Sequence, residues 1–309
     1  MTLLHWSAEA AAARDAGTPL VALESTIVAQ GLPWPHNLET ARRAEDAVRA
    51  GGAVPATIAV LEGRLHVGLE AAQLEALARD GDADKLSRAD LAVCMAARRT
   101  GATTVAATMI AARLAGIGVF ATGGIGGVHR GAEQSFDISA DLAELAQTPV
   151  TVVCAGAKAI LDLPRTLEVL ETLGVPVIAF GQDGFPAFWA ARSGLRAPLR
   201  MDAPADIAAA HRMRARLGLP GGQLVANPIP AEAEIPLEEL EPMIERAAAE
   251  ATARGVAGKA VTPFLLARLN EMSEGRTLAA NMALIVHNAR LGAAIARHMA
   301  QDAGPRPIA

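Results

Sequence analysis

The segment from Pro149 to Gly181, PVTVVCAGAKAILDLPRTLEVLETLGVPVIAFG, constrains this chain more than any other. An apolar, β-branched run (PVTVVC) leads into a short loop. Leu-rich helical spacing follows, with Pro164 suited to a helix's first turn, where its missing N–H costs nothing. A second apolar run, VPVIAF, closes the segment. Strand, helix and strand in this order make a βαβ unit, and parallel strands need helices over both faces of their sheet. The expected fold is therefore α/β, a three-layer α/β/α arrangement around a central, largely parallel sheet. Ligands bind such sheets at the carboxyl ends of the strands, and the loop at that end of PVTVVC carries Lys158.

The remaining chain supports the same class. TPLVAL (18–23) reads as a buried strand that delivers Glu24, Ser25 and Thr26 at its carboxyl end. A carboxylate there is either a candidate acid or base or a group that caps or pairs at the surface. Asn37 is expected to cap a helix that runs to about Ala50 and stops at Gly51-Gly52. ATIAV and RLHV read as a hairpin around Leu61-Glu62-Gly63, and Gly68 to Asp80 as a helix. Lys85 and Ser87 fall in a loop before a helix with Leu91, Met95 and Ala96 facing inward. TTVAAT reads as a strand, MIAARLAG as a helix, IGVFAT as a strand, and 141–147 as a short helix capped by Ser139. Helices are expected over 237–254, 262–272 and 277–299; the last carries Asn281, His287 and Asn288, His287 reading as a core or interface histidine. A Pro/Gly-rich excursion at about 185–236, with one helix near 205–217, is expected to border the site. The 309 residues are expected to make a single catalytic domain.

Composition narrows the function classes. A hydrophobic content of 51% excludes a disordered chain, and a net charge of −5 argues against a nucleic-acid partner. Cys94 and Cys154 lie in apolar surroundings and are expected to be buried free thiols in a reducing compartment. Neither a basic-headed leader nor a run of eighteen uncharged apolar residues occurs, so no membrane partner and a cytoplasmic location are expected. Walker A, CxxC, HExxH and GxSxG patterns are absent. Of 28 basic residues only three are lysines: Lys85, Lys158 and Lys259. In a chain so biased to arginine, a lysine marks a place where a compact ammonium or a nucleophilic amine is needed. The apolar flanks of Lys158 would favour its neutral, attacking form.

Phe120 to Leu142, FATGGIGGVHRGAEQSFDISADL, has five glycines together with His129, Arg130, Asp137, Ser139 and Asp141. Glycine lets backbone N–H groups approach a ligand, and these side chains suit a phosphate or a hard cation; a flexible surface loop is the alternative. Charge and loop chemistry point to Thr122, His129 and Arg130 as phosphate ligands.

ALESTIVAQGLPWPHNLETA (22–41), GAVPATIAVLEGRLHVGL (52–69), KLSRADL (85–91), the run 101–142, CAGAKAILDLPRTLEVLETLG (154–174) and GKAVTPFLL (258–266) together resemble the pseudouridine-5′-phosphate glycosidase family, also called indigoidine synthase A-like. The likeness extends from about Pro19 to Arg297. It implies reversible cleavage of the C–C glycosidic bond of pseudouridine 5′-phosphate to uracil and ribose 5-phosphate, through a lysine-sugar imine and with a divalent metal such as Mn²⁺. By resemblance Lys158 is the nucleophile and Glu24 the proton donor. Lys85, Val105, Ser139, Ala140, Asp141 and Asn281 match substrate-binding positions, and Asp137 the metal position. A homotrimer acting on a small nucleotide or sugar phosphate is implied as well. A Schiff-base lyase or aldolase using another sugar phosphate is the competing chemistry for the same lysine.

Overall fold

The computed structural model describes residues 3–256 and 258–301. Its strands are β1 (Leu4–Trp6), β2 (Leu20–Leu23), β3 (Val54–Leu61), β4 (Arg64–Val67), β5 (Asp84–Leu86), β6 (Gly101–Thr103), β7 (Val119–Ala121), β8 (Val128–His129), β9 (Thr151–Cys154), β10 (Leu161–Asp162), β11 (Val177–Phe180), β12 (Leu199–Met201) and β13 (Gln223–Ala226). Among the described residues eleven of these form one sheet, and β8 pairs with β10 apart from it. The sheet's spine, in the order β3, β2, β7, β9, β13, β11, β12, is parallel at every step. The second half of β3 pairs antiparallel with β4, in the expected hairpin, and with β6.

Helices cover both faces. His36–Ala50, Pro204–Arg216 and Arg276–Gln301 pack together on one; Val105–Leu114 and Ala140–Gln147 pack on the other, continued by Leu163–Thr172. Every residue of β7, β9 and β13 is buried, as strands with helices above and below must be. Arg276–Gln301 has the length and apolarity of a membrane span, but 67% of its most apolar stretch is buried in the fold, against β2, β7 and β9.

The βαβ unit exists, with one difference. β9 and β11 are parallel and joined by the helix Leu163–Thr172, but β13 lies between them. The 185–236 excursion therefore supplies a central strand, whose residues QLVA are too few and too close to proline and glycine to announce themselves.

Other expectations need correction. TTVAAT is not a strand: β6 ends at Thr103 and a helix begins at Val105, because this helix is buried nearly all round and lacks the polar face that would mark its period. Asn37 does not cap its helix. It sits inside the first turn, buried, and its amide donates to the carbonyls of Val28 (2.6 Å) and Ala78 (2.8 Å). Lys85 lies on β5 rather than in a loop, and Ser87 caps the next helix through a capping box with Asp90. On that helix Leu91 and Cys94 face inward, whereas Ala96 is exposed. Both cysteines are buried and free, and burial pushes the Cys154 thiol up to about 12. His287 is half-buried, and burial lowers its pKa. The side chain of Lys259 lies outside the described residues.

Candidate active site

Parallel strands deliver the residues that follow them to one edge of the sheet. Glu24 follows β2, Gly123 and Gly124 come just after β7, and Lys158 comes four residues after β9. They meet in one cavity. Lys85 enters from β5 and Asn281 from the helix Arg276–Gln301, while Phe188, Leu266 and Ile285 give apolar wall.

Backbone hydrogen bonds fix Lys158. Its N–H donates to the Ile125 carbonyl (3.1 Å), the Ile125 N–H to that of Gly156 (3.1 Å), and the Ala155 N–H to that of Gly123 (2.8 Å). The glycine loop and the lysine loop are thus laced together. Gly156 holds φ at +88°, and a Cβ there would stand 2.6 Å from the Pro186 carbonyl, so only glycine fits.

Glu24 is buried, at 9% exposure, and Thr122 donates its hydroxyl to the carboxyl. Burial raises its pKa to about 7, with Asp141 adding to the rise while Lys158, Thr122 and Lys85 oppose it. At neutral pH this carboxyl is poised between giving and taking a proton. The Thr122 hydroxyl, expected on a phosphate, is engaged with Glu24 instead.

Asp141 is buried outside the cavity's lining. Its carboxylate accepts from the N–H groups of Ala106 (3.0 Å) and Gly126 (2.8 Å), tying the start of the helix Val105–Leu114 to the glycine loop. Ser139 caps the helix Ala140–Gln147 by accepting from the Asp141 N–H, as expected. Val105 is buried at the head of its helix, Ala140 is exposed, and neither lines the cavity. His129 is half-buried, and its N–H donates to the Asp137 carbonyl at 3.0 Å. Burial lowers the His129 pKa; Asp137 opposes that, and the charges of Lys158 and Lys85 reinforce it, so this ring lies within their field. Arg130 is exposed. The structure thus brings Glu24, Lys158, Lys85 and Asn281 into one cavity with Thr122 behind Glu24. His129 and Asp137 stand at its flank, and Arg130, Val105, Ser139, Ala140 and Asp141 lie outside its lining.

Among the described residues no group of three or more His, Cys, Asp or Glu side chains converges to hold a metal. A half-buried single carboxylate at Asp137 fits a hard cation that keeps most of its shell as water, and does not fit a dedicated protein cage.

Sequence reasoning missed several parts of the site. Phe188 lines the cavity with a φ of +63°, and the adjacent Trp189 donates its indole N–H to the Asn281 carbonyl oxygen at 2.8 Å. Beneath the glycine loop, Asn288 donates to the Thr122 carbonyl (2.8 Å) and accepts from Asn227 (3.0 Å). Thr26, Gln30 and Thr262 also face the cavity. Of these, Asn288, a polar residue in an apolar helix, and Thr26, just past the carboxyl end of β2, left a signal in the sequence.

A parallel-sheet fold that gathers a proton-bearing carboxyl, two lysines and an asparagine into one cavity belongs to the α/β enzymes. More narrowly, this chain is a member of the indigoidine synthase A-like family, whose sequence model, "Indigoidine synthase A like protein", matches residues 9–298. It is 68% identical to the pseudouridine-5′-phosphate glycosidase of Jannaschia sp. (strain CCS1) over 298 residues, covering 96% of this chain and 99% of that one. To the protein of the same name from Roseobacter denitrificans it is 67% identical over 300 residues, covering 97% of each. The crystal structure of an indigoidine synthase A-like protein from Thermotoga maritima MSB8 superposes with a TM-score of 0.88 at 37% identity, covering 97% of each chain. The prealnumycin C-glycosynthase AlnA in complex with ribulose 5-phosphate gives 0.90 at 38% identity, covering 97% of this chain and 98% of that one.

Proposed function

We propose that this protein reversibly cleaves the C–C glycosidic bond of pseudouridine 5′-phosphate, giving uracil and ribose 5-phosphate. One observation carries the assignment: Lys158 and a Glu24 poised near neutral pH share a cavity, an amine nucleophile beside a proton donor. A carbon leaving group has no lone pair to protonate, so the bond needs an electron source on the sugar carbon and an acid at the base carbon.

Lys158 supplies the first and Glu24 the second. The C1′–O4′ bond opens, its electron pair leaving as the 4′-hydroxyl while a ring nitrogen of the base releases the matching proton. The Lys158 amine adds to C1′, and the ring nitrogen regains a proton. Glu24 protonates the ring carbon that bears the sugar. The nitrogen lone pair then forms the C1′=N bond as the C–C bond breaks, releasing uracil. Water hydrolyses the imine to ribose 5-phosphate and the free amine. Glu24 is then reprotonated, so one water is consumed per turnover. Lys85 adds positive charge for the sugar phosphate.

A divalent cation, Mn²⁺ among the candidates, belongs with Asp137, where it would supply positive charge to oxygens of the substrate. Self-association is supported by apolar side chains exposed beside that residue, Phe136 83% and Ile138 45%, and the homotrimer rests on the family resemblance. A phosphorylated substrate, which does not cross membranes unaided, supports a cytoplasmic location. The test is uracil release from pseudouridine 5′-phosphate with Mn²⁺ or Mg²⁺. No turnover with any divalent ion would end the assignment, and turnover of a ketose phosphate alone would make the protein a Schiff-base lyase.

A further inference from the structure

Three residues after the proposed proton donor the chain makes a π-helical turn, Ile27–Gly31, an uncommon element found frequently at functional sites. Its Gln30 lines the cavity. The amide nitrogen of Gln30 donates to the Ala83 carbonyl at 2.6 Å, which fixes which way the amide faces. Its oxygen, Oε1, is buried and has no partner. On the same turn's lead-in, the Thr26 hydroxyl oxygen is likewise buried and partnerless, and Thr26 is part of the cavity lining. Asn281, in the same lining, has the opposite polarity: its oxygen is held by the Trp189 indole N–H at 2.8 Å, leaving its NH₂ to donate. A buried acceptor without a donor is unfavourable, and a ligand N–H that fills it recovers that loss.

Resting on the glycosidase assignment above, we infer that Gln30, assisted by Thr26, is the base-reading residue of the site. Gln30 Oε1 accepts the N3–H of the uracil moiety, the ring N–H that the reaction does not use, while the Asn281 NH₂ donates to a neighbouring ring carbonyl. A uracil ring alternates N–H and C=O along its edge, so one acceptor and one donor fixed by the protein match it. Ile27, Phe188 and Leu266 give its flat faces apolar contact. The alternative role for Gln30 is a strut: through Ala83 it braces the start of β5, two residues before Lys85.

The experiment measures kcat/KM for pseudouridine 5′-phosphate and for its N3-methyl derivative, in the wild-type protein and in Gln30→Met; N1 is left unmethylated because its proton is released when the C1′–O4′ bond opens. Methylation of the ring nitrogen that Gln30 reads should cost the wild type roughly tenfold to a hundredfold. In Gln30→Met that penalty should shrink severalfold, because the acceptor is already gone. Borohydride trapping of ribose 5-phosphate on Lys158 should survive in the variant, since the sugar phosphate carries no base. An N3-methylation penalty below about twofold, or one equal in the two proteins, overturns the inference. Loss of trapping with unchanged base discrimination makes Gln30 a strut and overturns it as well. Failure of the wild type on the unmethylated substrate removes the glycosidase assignment and the role of Gln30 with it.

Discussion

Replacing Glu24 with glutamine separates the stability cost of this carboxyl from its chemistry. Burial raises its pKa from 4.5 to about 7. The direction of linkage follows: between these two values the folded protein holds a proton that the unfolded chain has released. Stability from this group is complete below pH 4.5 and is lost as pH rises through 7. At about 1.36 kcal/mol for each pH unit between the two values, the loss is roughly 3 kcal/mol by pH 8. Glutamine cannot ionise, and its amide oxygen can still accept from Thr122. Glu24→Gln should therefore match the wild type in urea unfolding near pH 4.5 and be more stable by roughly 3 kcal/mol at pH 8. The same variant should lose uracil release, and wild-type kcat/KM should fall as pH rises through about 7, as Glu24 gives up the proton it must donate. A stability difference that stays flat from pH 4.5 to 8 would refute the account of a buried, proton-holding carboxyl.

Three further outcomes are expected. Lys158→Arg keeps the charge but no amine able to form an imine, so borohydride trapping of ribose 5-phosphate should vanish and turnover fall by about 10³-fold or more, while the urea midpoint barely moves. Asp141→Asn weakens the bonds to the Ala106 and Gly126 N–H groups and should cost about 1–3 kcal/mol, read as a lower urea midpoint. Gly156→Ala places a methyl 2.6 Å from the Pro186 carbonyl at a φ of +88°; it should destabilise the protein by more than about 1 kcal/mol and lower activity by displacing Lys158, with trapping efficiency as the second measure.

Glu24 and Lys158 are legible from the sequence because each follows an apolar run that has to be a parallel strand. The edge of the sheet where they meet is set by topology. Less can be read where burial erases pattern. The helix starting at Val105 is buried on nearly all sides and so imitates a β-branched strand, and β13 hides four core residues among prolines and glycines. Asp141 looks like a ligand in composition, yet its carboxylate is taken by two backbone N–H groups, a commitment only the tertiary structure makes. Gln30 and Phe188 give no local signal, since a π-helical turn and a φ of +63° are set by neighbours distant in the chain.

The place of β13 sets a timetable. Synthesis completes β9 at Cys154, but its partner on one side does not begin until Gln223. Until then Val152 and Val153 have an open hydrogen-bonding edge, and β11 has no strand to join it to the sheet. The loop bearing Lys158 is thus built on half a foundation for much of translation, and its final support arrives from a stretch that touches the reaction only at Phe188. Catalytic competence should come late and abruptly, when one four-residue strand slides between two that have waited for it.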